Sequence, residues 1–85
     1  MRKRSNIDIF AAILSAAKEG AKKKSHIAYK TKLNFEAANR YLNRLQIARL
    51  LTVPSDNSRR YQITFKGNKF LRHYEILTSY IADGG

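Results

Sequence analysis

Glu36, Asn39, Arg40, Asn43 and Arg44 carry the most suggestive chemistry in this chain. An arginine can donate two bonds to a guanine edge. An asparagine can donate and accept at adenine, and either residue can hold a phosphate oxygen. Between them, Phe35, Ala38, Leu42 and Leu45 recur at i, i+3, i+7 and i+10, the spacing of one helical face, and are assigned to the core. The polar set therefore faces away from that core. Asn34 is suited to cap the first turn, and the spacing predicts a helix over 34–47. A solvated amphipathic helix would read the same way, so the surrounding elements must decide.

Charge is the first discriminator. The 85 residues hold 17 Lys and Arg against six Asp and Glu, a net charge of +11. Such a balance attracts polyanions. It is unevenly spread: residues 1–32 are net +7 and residues 70–85 net −1. The C-terminal segment thus stands apart from the cationic surface. Hydrophobic residues make up 44% of the chain, enough for one small folded domain. Without cysteine there is neither a disulfide framework nor a thiolate metal site, which fits a reducing interior. The apolar runs are too short to span a bilayer, and Asp8 interrupts the only stretch that might serve a signal peptide.

The elements that must position the polar set can be read in order. Residues 1–5 form a basic arm. A first helix over 6–18 carries Ile9, Phe10, Ile13, Leu14 and Ala17 on one face, with Ser5 or Asn6 as cap and Gly20 as a left-handed stop. A short second helix begins at Ser25 or the residue before it and ends near Thr31, anchored by Ile27 and Leu33. A tight turn, Lys32-Leu33-Asn34, leads into the third helix, giving a helix-turn-helix order. Arg49–Val53 and Arg60–Thr64 alternate as strands of a hairpin, with turn formers at Pro54–Ser58 and with Arg59 and Arg60 near the tip. Thr64 caps a last helix over about 65–81. Phe70, Tyr74, Leu77 and Ile81 form one stripe on it, and His73, Ile76 and Tyr80 lie along a second. That apolar face is wider than a small core needs. Tyr and Phe residues are read as core rather than as base-stacking platforms.

Helix, short helix, turn, helix, two-stranded hairpin and helix is the winged helix-turn-helix order. The fold class expected is α+β, mainly helical: a three-helix core, a hairpin wing and a C-terminal helix. Three pieces strengthen the likeness: Ile9–Ala17, the Ile27–Leu45 segment with Arg40-Tyr41-Leu42 inside it, and Tyr61–Leu71 with its Tyr-Gln-Ile-Thr-Phe-Lys-Gly run. They resemble the small, basic, dimeric winged-helix DNA-binding proteins of archaea, some of them chromatin-associated. The resemblance covers nearly the whole chain. It implies double-stranded DNA binding with helix 34–47 in the major groove and wing 54–60 on the backbone. It also implies a homodimer through the C-terminal helix. Because the chain stops at Asp83-Gly84-Gly85, a long coiled coil is not expected.

From these readings a single domain spans 6–85. Its DNA-binding candidates are Lys22, Lys23, Lys24, Lys30, Lys32, Asn39, Arg40, Asn43, Arg44, Arg59 and Arg60. Asn39 and Arg40 are assigned to base edges and Asn43 and Arg44 to phosphates. His73, Ile76 and Tyr80 are the dimer candidates. His26 and His73 lack partner ligands nearby in sequence, so no metal is expected. No cofactor, catalytic spacing or phosphate loop is visible, and the chain is not read as an enzyme. A cytoplasmic, nucleoid-associated transcription regulator is the leading expectation. Its rivals are an architectural chromatin protein with little base preference, or an interaction module for RNA or an acidic protein.

Overall fold

A computed structural model describes residues 5–54 and 59–82. Residues 1–4 of the expected arm, the centre of the hairpin turn at 55–58 and the tail at 83–85 lie outside the described residues. The elements are α1 (Asn6–Lys18), α2 (Lys24–Thr31), α3 (Phe35–Ile47), β1 (Leu51–Thr52), β2 (Gln62–Ile63) and α4 (Phe65–Ala82). The fold class is as expected: four helices and one two-stranded antiparallel hairpin.

Local chemistry sets the helix starts. Ser5, within the stretch assigned to the arm, is the N-cap of α1. Its hydroxyl accepts from the Asp8 amide at 3.1 Å, and the Asp8 carboxylate accepts from the Ser5 amide at 3.1 Å. This reciprocal pair satisfies two otherwise orphaned donors. Asn34 Oδ1 accepts from the Ala37 amide at 2.7 Å and begins α3.

The ends of α1, α2 and α3 share one device. Gly20 (φ 117°), Lys32 (φ 60°) and Arg49 (φ 65°) take positive φ. After each, the next amide reaches back into the helix: Ala21 to Ala16 O (2.9 Å), Leu33 to Ala28 O (3.0 Å) and Leu50 to Leu45 O (2.9 Å). These are Schellman stops, two of them built on cationic residues rather than glycine.

Ile13, Leu14, Ile27, Leu42, Leu45 and Leu51 are the large side chains sealed at the centre. Leu33, expected to anchor α2, is partly buried against this cluster. Phe35 departs from its assignment to the core: it is 59% exposed, because it opens α3 where no neighbouring element yet covers it. Tyr29, Phe65 and Tyr80 are likewise exposed.

The strands are shorter than the predicted 49–53 and 60–64. Leu51 pairs with Ile63 and Thr52 with Gln62. Arg49 is spent on the α3 stop, Pro54 has no amide to donate, and the Tyr61 amide donates elsewhere, to Lys22 O at 2.7 Å. The α1–α2 connector thus runs along the other side of the wing segment and ties it to the helices.

The start of α4 is stitched to the end of α3. Thr64 Oγ1 accepts from the Gly67 amide (2.9 Å) and donates to Arg49 O (2.7 Å), while Lys66 Nζ donates to Ala48 O (3.0 Å). A Cβ on Gly67 would run into the Leu50 carbonyl oxygen and lie 2.8 Å from Ile63 Cγ1, so only glycine admits this approach. Leu71 is buried, and the Phe70 and Phe10 rings meet edge-on with centroids 6.4 Å apart. Tyr74 donates to Asp8 Oδ1 at 2.5 Å. Beyond Tyr74 the helix outruns the domain: Leu77 and Ile81, placed by their spacing on the same stripe as Phe70, are 63% and 71% exposed.

Candidate nucleic-acid interface

Glu36, Asn39, Arg40 and Asn43 project together from α3, all exposed and opposite the buried Ala38, Leu42 and Leu45. They line one shallow groove with Lys24 of α2 and Tyr61 of the wing segment. Gln46, one turn beyond Asn43, lines it too. A second depression continues from it, bounded by Lys23, Lys24, Phe35, Arg59 and Tyr61. A third, around the start of α2, is lined by Lys22, Lys23, His26 and Arg60. Shared residues make the three contiguous, so Lys22, Lys23, Lys24, Asn39, Arg40, Asn43, Arg59 and Arg60 lie on one surface.

The start of α2 adds to its positive character. Lys23 is the N-cap and makes no side-chain cap hydrogen bond, and the first turn contains no acid. Its free amides and the positive end of the helix dipole suit an anion. Burial pushes the Tyr61 hydroxyl above its ordinary pKa, so this ring stays neutral in the wall of the groove.

Three candidates stand apart. Lys30 pairs with Glu19 at 3.6 Å, at the far end of α2. Lys32 is exposed in the turn between α2 and α3, as the left-handed stop. Arg44 leans the other way from Asn39, its guanidinium 5.4 Å from the centre of the Phe10 ring on α1.

Sequence reading missed Phe35, Gln46 and Tyr61 as parts of this surface. Gln46 was findable, since it continues the Asn39, Asn43 spacing by one more turn. Phe35 and Tyr61 carried no such signal, because an aromatic on a periodic stripe reads as core. Also unseen was the bond from Lys24 Nζ to Asn39 Oδ1 at 2.5 Å. The same ammonium lies 5.5 Å from the centre of the Phe35 ring.

On α4, His73, Ile76 and Tyr80 are all exposed, and Leu77 and Ile81 join Ile76 and Tyr80 in one apolar surface on the overhanging half. Among the described residues no helix is long and apolar enough to cross a membrane.

No curated protein sequence matches the chain. Solved structures do. One is Sso10a-2, a DNA-binding protein from Sulfolobus solfataricus, 25% identical over 94% of this chain and 84% of its own, with a TM-score of 0.79. Another is MepR, a transcription regulator of the Staphylococcus aureus multidrug efflux pump MepA. It is 15% identical, with a TM-score of 0.75, and the match spans 91% of this chain but only 61% of MepR, a likeness of fold. The sequence profile of the winged helix-turn-helix family matches residues 3–81, nearly the whole length, and the chain belongs to that family.

Proposed function

We propose that this protein binds double-stranded DNA as a transcription regulator, with α3 in the major groove. The observation that carries this reading is the contiguity of the surface described above. A polar helical face with Asn39, Arg40 and Asn43 at its centre continues into a cationic flank, where Lys22, Lys23 and the open start of α2 meet Arg59 and Arg60. Docking of this kind brings early residues of the second helix to base edges while flanking cations hold the backbone. The DNA-binding activity of Sso10a-2 and the regulatory role of MepR support the same use of the fold.

In this reading Asn39 and Arg40 meet bases. Asn43, Lys22, Lys23, Arg59 and Arg60 meet the backbone, Lys32 meets it from the turn, and Lys24 adds its charge inside the groove. Lys30 and Arg44 contribute charge at the edge, since Lys30 pairs with Glu19 at the far end of α2 and Arg44 lies over Phe10, outside the groove that Arg40 lines. The exposed Ile76, Leu77, Tyr80 and Ile81 support pairing of two copies through α4, with His73 beside them. In that segment the net charge of −1 allows two copies to approach.

Competition between duplex DNA and structured RNA for the full chain, repeated across salt, tests the proposal. Duplex should win and its affinity should fall steeply with salt. Preference for RNA, or binding indifferent to salt, would refute it. Equal affinity for a selected site and random duplex would turn the reading from regulator to architectural protein.

A further inference from the structure

Lys24 and Asn39 are 15 residues apart and come from different helices, yet they form a direct bond at the centre of the groove. An ammonium has donors only. It can therefore face just one end of the Asn39 amide, the carbonyl oxygen, as found at 2.5 Å. The ammonium is held from its other side by the face of the Phe35 ring at 5.5 Å. Two contacts thus keep this lysine across the groove rather than extended into solvent, and the residue is partly buried.

This arrangement changes what Asn39 can offer a base. An asparagine that reads adenine needs both ends: its amide hydrogen for N7 and its oxygen for the N6 amino group. Here the oxygen is already engaged, and the positive charge beside it repels the hydrogens of any amino group that approaches. What remains is a pair of N–H donors beside a cation. Guanine presents two acceptors on its major-groove edge, N7 and O6, and suits that pair.

We propose that Lys24 is a positioning residue that sets Asn39 as a donor, so that the α3 face selects guanine over adenine at the base Asn39 meets. The inference rests on the DNA-binding reading above and specifies its sequence preference. Lys24 fixes the orientation of the amide, and Asn39 makes the contact.

Selecting duplexes from a random pool at fixed salt tests it, with the wild-type chain, Asn39→Ala, Lys24→Arg and Lys24→Met compared. Guanine should be enriched about tenfold over adenine at one position. That preference should vanish in Asn39→Ala, persist in Lys24→Arg, which keeps the donor, and turn to adenine in Lys24→Met, which frees the oxygen. Base preference is read rather than affinity, because loss of the Lys24 charge alone weakens binding to all sequences alike. Adenine at the Asn39-dependent position in the wild type, or guanine retained in Lys24→Met, overturns the inference. So does a selection with no Asn39-dependent position while wild type still binds duplex in a salt-dependent way. That last result leaves the proposed function standing, whereas absence of duplex binding even at low salt removes both.

Discussion

Two exposed surfaces of this small domain are incomplete in opposite ways. Around α2, α3 and the wing segment, cations gather with few acids among them. Among the described residues, Glu36 is the one acid lining the groove that holds Lys24 and Arg40. On the outer half of α4, Ile76, Leu77, Tyr80 and Ile81 stand in solvent without a cover. Each surface departs from what a self-sufficient monomer needs. The first calls for a polyanion and the second for apolar area. Coulombic attraction between exposed charges weakens as salt rises, while burial of apolar area does not. The two surfaces can therefore be told apart by one variable.

The largest expected effect follows from that contrast. If about six of the surface cations neutralise phosphates, duplex affinity falls about a thousandfold between about 50 and 200 mM salt. Self-association through α4, measured by sedimentation over the same range, should barely change. Equal salt sensitivity of both processes would break the distinction. Next in size is removal of the apolar cover. Ile76→Asp combined with Leu77→Asp puts charges where both side chains are exposed in the isolated chain, so the fold should survive. Burying each such side chain is worth about 1.5–3 kcal/mol, and a two-fold interface uses each position twice. The dimer should therefore weaken by at least about a hundredfold. A wild-type chain that sediments as a monomer at micromolar concentration would remove the premise.

Within the cationic surface, Arg40 and Arg44 sharpen the comparison further. Both were assigned from sequence to the same polar face of α3. Arg40 lines the groove, while Arg44 rests over Phe10 on the α1 side. Arg40→Ala should weaken duplex binding about tenfold, a fair value for a base-edge contact. Arg44→Ala should cost less binding and instead uncover the face of the Phe10 ring. The reverse order, in paired titrations at one salt concentration, would move the docking face towards α1.

These contrasts mark where sequence was informative. The bounds of α1 and the Asn34 and Thr64 caps were readable, because each depends on residues within a few positions of one another. The polar face of α3 was readable for the same reason, since Glu36, Asn39, Arg40 and Asn43 are spaced along one helix opposite its apolar stripe. What failed depended on distant contacts or on backbone stops. Alternation at Arg49–Val53 looks like a strand, yet Arg49 is needed to terminate α3 and cannot also extend β1. Leu71 is buried while Leu77 is not. They lie on different faces of α4, and only the face carrying Leu71, Tyr74 and Thr78 turns towards the rest of the domain. The Lys24–Asn39 bond joins two helices through a fold that neither segment encodes alone.

The smallest effect separates charge from conformation at the helix stops. Lys32 and Arg49 both hold positive φ, which costs a residue with a Cβ about 1–2 kcal/mol. Glycine removes that cost but has more freedom to lose on folding. Lys32→Gly and Arg49→Gly should each therefore stabilise the domain by about 0.5–1 kcal/mol, seen as a higher denaturant midpoint with unchanged slope. Both also delete one positive charge, so each serves as the other's control for net charge. Their DNA affinities should nonetheless diverge. Lys32 stands in the turn between α2 and α3, beside the proposed docking face, whereas Arg49 lies at the junction of α3 with the hairpin. Lys32→Gly should lower the steepness of the salt dependence by about one unit, while Arg49→Gly leaves it nearly as it was. If both variants lose affinity equally, Lys32 acts only through net charge and the phosphate-contacting surface stops at the start of α2.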